Sequence, residues 1–344
     1  MNQKLTGKQY TLLASMLFGM FFGAGNLIFP IILGAKAGAS LVPALLGMLI
    51  TAVGMPLLGI VALGVSRSSG LMQMSGRVAK WYSYFFTCAL YLTIGPFFAI
   101  PRCAATSFTM GIAPLVSGSH TVPQAIFTTL FFAAVLFFAL RPNNIMNSIG
   151  KYLNPIFLIC LGILVVAALL DPIQSVGSVA ASGAYADNAF STGFLQGYDT
   201  LDALASLAFG IIVVNVIKEM GVEEPGAIAK NTIKSGVFSM VLMTVIYALI
   251  AIVGAQSYGL YADQLGDPSF NGGNAFAIVA QHYLGKAGMI VLALTVTFCC
   301  MKTAIGLVTA CADTFSVMFP RSLSYRSWAI VFTAFSLLVS NIGL

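Results

Sequence analysis

The sequence predicts an all-α polytopic membrane protein, one transmembrane domain over residues 1–344, and three observations predict it. Hydrophobic residues make up 59% of the chain and charged residues 8%, against about 45–50% and about 25% in soluble domains. Sixteen Lys and Arg with ten Asp and Glu are too few to coat an ordinary water-soluble surface. The apolar runs are long and continuous, whereas a barrel, the other way to satisfy backbone in hydrocarbon, shows short alternating segments.

At about 20 apolar residues per crossing, nine spans are expected near 10–33, 41–65, 82–112, 123–140, 152–170, 195–217, 234–254, 288–314 and 327–342. The opening MNQKLTGKQY precedes an apolar run that exceeds signal-peptide length, so it reads as a retained first helix. Span 1 carries GMFFGAGNLIFP, Gly19 to Pro30. Gly costs about 1 kcal/mol relative to Ala in a helix and Pro removes a donor, so the chain is expected to unwind near Gly23–Asn26. Irregular backbone at membrane depth must face protein or a polar cavity. Close helix packing through Gly19 and Gly23 is the other reading, but it has no need of the polar Asn26. Span 2 is plainly apolar, and span 3 opens with Trp81, Tyr82 and Tyr84, an interfacial aromatic belt. In span 6, DALASLAFGIIVVN places Ser206, Phe209 and Gly210 at mid-depth, a second candidate break. Interrupted spans at corresponding positions of inverted repeats point to a transporter's binding site. The spans accordingly divide into a first repeat, 1–170, and an incomplete second, 194–344. Span 7 is uninterrupted. The loop 255–287 before span 8 contains a stretch, 274–284, that suits a short helix over the outer mouth or a plain connector. Span 9 ends in SLLVSNIGL.

With the N-terminus inside, inner segments hold Lys4, Lys8, Arg67, Arg77, Lys80, Arg141, Lys151, Lys218, Lys230, Lys234, Arg321 and Arg326, while the outer ones hold only Lys36 and Lys286. This is the positive-inside pattern. The net charge of +6 therefore reflects topology, and nucleic acid is excluded as a partner. The six cysteines lie within apolar runs, which suits buried thiols. His120 and His282 stand alone, and no HExxH, GxSxG or phosphate-binding loop occurs. An enzyme is not expected, nor a cofactor, and no obligate protein partner is inferred.

GAGNLIFP, GPFFAIPR (Gly95 to Arg102), NPIFLICLGILVV, AFGIIVVN and TAIGLVTACADTF together resemble the bacterial branched-chain amino acid:cation symporter family, over essentially the whole chain. The resemblance implies a multi-pass carrier of the bacterial cell membrane. It would import leucine, isoleucine and valine with Na⁺ or H⁺ and have the five-plus-five inverted-repeat fold of the amino acid–polyamine–cation superfamily. The glycine and asparagine core of span 1 also resembles the neurotransmitter:sodium symporters. By that likeness the amides of Ala24 and Gly25, beside Gly23, would receive the substrate carboxylate, with Ser206, Phe209 and Gly210 facing them. The Phe21 carbonyl and the Asn26 side chain would serve one cation site. The Gly19 and Phe22 carbonyls, with Cys299 and Thr303, would serve a second. The family pattern runs to about twelve spans, so the chain is expected to be C-terminally truncated, with a non-transporting remnant as the alternative function.

Two cations lie within apolar runs. Lys302, fourteen residues into span 8, costs roughly 2.5–3.5 kcal/mol at the bilayer centre. Asp313 is eleven residues further on, about 16 Å along a helix, too distant to pair with it. Either the Lys302 ammonium replaces the second bound cation and favours proton coupling, or it meets water or an acid on another helix. Arg102 either reaches the outer interface or forms an outer gate with Asp199 and Asp202, which otherwise cap the start of span 6.

Overall fold

The computed structural model describes residues 5–66, 68, 70–116, 118–141, 146–267 and 270–342. Lys4, Arg67 and the final two residues, where the sequence suggests truncation, lie outside them. Helix α1 (Gly7–Phe21) starts at a reciprocal cap: the Thr6 hydroxyl accepts from the Gln9 amide and the Gln9 side chain accepts from the Thr6 amide at 2.8 Å. It ends at Phe21, two residues before the expected break. Phe22 (φ −72°, ψ 90°) and Gly23 (φ −109°, ψ −162°) leave helical space, and α2 (Ala24–Ala37) resumes at once. Ala24 to Asn26 are thus the first turn of a new helix and not unwound chain.

Helices α3 (Leu41–Leu49) and α4 (Met55–Val65) join through a π-turn to form the second expected span, and α5 (Leu71–Ser75) is a short connecting segment. The third span, α6 (Lys80–Leu92) and α7 (Ala99–Ser107), is broken at Gly95 and Phe98, beside Pro96, which no expectation anticipated. Next come α8 (Thr121–Ala139), α9 (Asn154–Leu170), α10 (Ala184–Tyr198), α11 (Asp202–Glu219) and α12 (Pro225–Gln256). The 47-residue α13 (Gly272–Met318) bends at Gly285, whose φ of 56° separates the expected short helix from the crossing; α14 is Tyr325–Ile342.

Seven helical stretches among the described residues are long and apolar enough to cross a membrane, fewer than the nine expected spans. One of them, Ala24–Val65, has 42 residues, about 63 Å of helix against a hydrocarbon core of about 30 Å. It contains the turn at Gly38 (φ 49°), so length alone merges what the expected map counts separately.

The core gathers around α1 and α2, which pack on α11, α12 and α13. Where α2 meets α12, a Cβ at Gly34 would strike the Ala251 carbonyl and one at Gly254 the Ile31 carbonyl. Only small residues permit this backbone approach. It anchors α2 against a long helix while its first turn remains beside a cavity.

Candidate functional site

The breaks before α2 and before α11 meet at a small cavity of about 30 Å³. Gly23, Ala24, Gly25 and Asn26 form one wall and Thr200, Leu201 and Asp202 another; Phe21, Phe209, Arg102 and Thr303 also line it. The first amides of a helix have no intrahelical acceptor and carry its positive end. At α2 the Gly23 amide is answered by Asn26 Oδ1 at 2.9 Å, which leaves the amides of Ala24 and Gly25 at the cavity edge. A Cβ at Gly23 would lie 3.0 Å from the Thr303 hydroxyl, close enough that Thr303 would have to give by a few tenths of an ångström. The carbonyls at the end of α1 are held from α13: Thr303 Oγ1 donates to Met20 O at 2.8 Å and Cys299 Sγ to Phe22 O at 3.1 Å.

The second break is not at Ser206–Gly210. Helix α11 runs unbroken through those residues, and the chain turns instead at Leu201 (φ 65°, ψ 9°), the only non-glycine residue described with positive φ. Such a conformation costs roughly 1–2 kcal/mol. Gly210 serves packing, since a Cβ there would strike the Leu63 side chain on α4. Ser206, likewise against α4 at Gly59, returns its hydroxyl to Ala203 O at 2.7 Å. Neither lines the cavity; Phe209 does, edge-on to Phe21 at 5.2 Å. Glycine content points to Gly210, whereas the true signal is the run of polar cap residues Asp199, Thr200 and Asp202.

Asn26 does not present its oxygen to a cation as expected. That oxygen is engaged by Gly23, and Nδ2 donates to Asp202 Oδ2 at 2.6 Å and to the Tyr247 hydroxyl. Tyr247 also donates to Asp202 Oδ2, at 3.1 Å. The role of Tyr247 is missed in the sequence, although a hydroxyl amid the apolar run of α12 must find a partner. The expected charge pairing of Arg102 with Asp199 and Asp202 is absent among the described residues. The guanidinium donates weakly to the Asp199 backbone carbonyl at 3.4 Å from both terminal nitrogens and lies beside Gly25, while Asp202 turns inward to Asn26.

Near Gly19, at the end of α1, Lys302 is 0% exposed. Its Nζ donates to Asn154 Oδ1 at 2.9 Å and stands 3.5 Å from the centre of the Phe157 ring and 5.6 Å from that of Phe18. Asn154 in turn donates to Ser15 Oγ at 2.9 Å. No acid among the described residues pairs with Lys302. Asp313 hydrogen-bonds Asn215 at 2.9 Å instead.

The family described as "Branched-chain amino acid transport protein" matches residues 6–344. The match runs through the last residue of the chain. The chain is 50% identical over 349 residues to the branched-chain amino acid permease BrnQ of Lactobacillus delbrueckii subsp. lactis, covering all of this chain and 76% of that protein. It is 41% identical over 345 residues to BrnQ of Bacillus subtilis, covering 100% of this chain and 77% of that protein. In fold it resembles the crystal structure of MhsT in complex with L-phenylalanine, with a TM-score of 0.57 at 14% identity over 99% of this chain and 80% of that one.

Proposed function

Because this multi-pass membrane protein belongs to the branched-chain amino acid transport protein family, we propose that it is a secondary active symporter of the bacterial cell membrane, N-terminus cytoplasmic. It imports leucine, isoleucine and valine with Na⁺ or H⁺. The observation that carries this is the cavity between two interrupted spans, with the unanswered amides of Ala24 and Gly25 at one edge. A helix N-terminus suits a carboxylate, and the apolar residues Phe21, Phe209 and Leu307 suit an aliphatic side chain. Alternating access follows if the bundle rocks about these breaks. Discrimination by one methylene is worth only about 1–3 kcal/mol, so all three branched substrates are carried.

The Lys302 ammonium, reaching from α13 to Asn154 on α9 and to Phe18 near the end of α1, acts as a tethered cation in place of a second transported one. Its hydrogen bond to Asn154 and its position over the Phe157 ring support this reading. Arg102, bridging to the Asp199 carbonyl above the cavity, serves as an outer latch through backbone rather than charge. Uptake of labelled leucine by proteoliposomes under an imposed Na⁺ or H⁺ gradient tests the transport reading, and a flat time course with correctly inserted protein overturns it. Lys302→Thr should make uptake newly dependent on Na⁺; unchanged coupling removes the tethered-cation reading.

A further inference from the structure

Asp202 is 3% exposed at the head of α11, on the cavity wall beside the α2 break. A carboxylate at membrane depth costs roughly 2.5–3.5 kcal/mol on insertion scales and normally marks a function with a definable partner. A first-turn position returns only about 0.3–1 kcal/mol from the helix dipole, so capping α11 does not account for it. Its hydrogen-bonding side chains, Asn26, Tyr247 and Thr200, are neutral, and the first two bond Oδ2. An ionised carboxylate offers about four acceptor positions, so three donors still leave acceptor capacity. No Lys, Arg or His among the described residues forms an ion pair with it, and Arg102, on the same cavity, is turned to the Asp199 carbonyl.

The arrangement is a negative site without an ion pair, drawn on only at a distance by the Arg102 guanidinium, and it is coupled closely to the amide edge of α2. Asn26 Oδ1 accepts from the Gly23 amide at 2.9 Å while Asn26 Nδ2 donates to Asp202 at 2.6 Å. One side chain therefore separates the amide edge of α2 from the carboxylate. An α-amino acid carries its carboxylate and its ammonium on a single carbon, so its two charges are separated on this same scale.

We propose that Asp202 is the specificity residue for the substrate's α-ammonium, with Asn26 and Tyr247 as positioning residues that hold its carboxylate toward the cavity. A zwitterion then neutralises both walls at once: its carboxylate meets the amides of Ala24 and Gly25, and its ammonium meets Asp202. A ligand with the branched chain and carboxylate but no amine leaves the buried charge unmatched and adds a second negative charge to the cavity. The inference rests on the transport reading above and extends it to the chemistry of recognition.

The test is equilibrium binding to purified protein in nanodiscs, using leucine and its desamino analogue isocaproate as probes. In the unaltered protein isocaproate should bind at least about 100-fold more weakly than leucine; comparable affinities overturn the proposal. In Asp202→Asn leucine should weaken by about 100-fold while isocaproate is unchanged or improved, so that the preference collapses to about threefold or less. An equal loss for both ligands, which a purely structural role predicts, overturns it. If Asp202→Asn fails to fold, Asp202→Glu decides, since it keeps the charge and should keep the preference for leucine even where both affinities fall. Loss of that preference in a folded Asp202→Glu protein overturns the proposal. Because binding is read without a gradient, failure of uptake in proteoliposomes would count against the symport reading and leave this assignment separately measurable.

Discussion

Truncating Asn154 to alanine should reveal how a buried ammonium is tolerated without an acid. The side chain has two engagements: Oδ1 accepts from Lys302 Nζ at 2.9 Å and Nδ2 donates to Ser15 Oγ at 2.9 Å. Interhelical hydrogen bonds inside membranes average only about 0.6 kcal/mol, with a maximum near 1.7. Bonds to a charged group are worth about 1.5–3 kcal/mol in proteins generally. The Phe157 face, 3.5 Å away, contributes up to about 2 kcal/mol when desolvated, and the substitution leaves it in place. The coupling is isolated by a double-mutant cycle of Asn154→Ala and Lys302→Met, which also subtracts the Ser15 bond and the space the amide leaves. Measured as unfolding free energies in mixed micelles, Asn154→Ala should cost about 2–4 kcal/mol in the unaltered protein. It should cost about 1.5 kcal/mol less when Lys302 is already Met. A coupling energy no greater than about 0.6 kcal/mol would refute the account, because it would mean that the amide treats Lys302 as one more neutral neighbour.

Gly23→Ala places a methyl against the Thr303 side chain, 3.0 Å from its hydroxyl and 3.3 Å from its methyl. Leucine uptake should fall at least about tenfold, and Thr303→Ser added to it should restore part of the loss in the same assay. Tyr247→Phe deletes one of the two donors to Asp202 Oδ2 and should weaken leucine about fivefold in equilibrium binding, the effect of roughly 1 kcal/mol. Leu201→Gly removes the penalty of a left-handed leucine. The strain relieved, about 1–2 kcal/mol, is partly offset by the greater freedom of glycine in the unfolded chain, so unfolding measurements should show a change within about 1 kcal/mol. Leu201→Val, β-branched at the same φ, should be destabilising by more than that.

What a sequence reveals here depends on whether the chemistry is local. The break between α1 and α2 is legible because Gly19, Gly23, Gly25 and Asn26 violate helical preference within eight residues, and the structure shifts it only to Phe22 and Gly23. The break before α11 is misplaced because it contains no glycine: a leucine is held in left-handed space by the surrounding fold, while the nearby Gly210 answers to Leu63 on another helix. Small residues in membrane helices thus carry two meanings, and composition does not separate them; contact with a neighbouring helix does. The buried charges show the same division. That Lys302 and Arg102 require compensation follows from the cost of charge in hydrocarbon, but Asn154 lies 148 residues from Lys302 and no local pattern connects them. Formal charge alone would match Arg102 with Asp202, yet the fold gives each a neutral partner, the Asp199 carbonyl and the Asn26 amide. A carrier that must open and close around a zwitterion has reason to leave its opposite charges unpaired, since an internal ion pair between the two cavity walls would compete with the substrate for both of them.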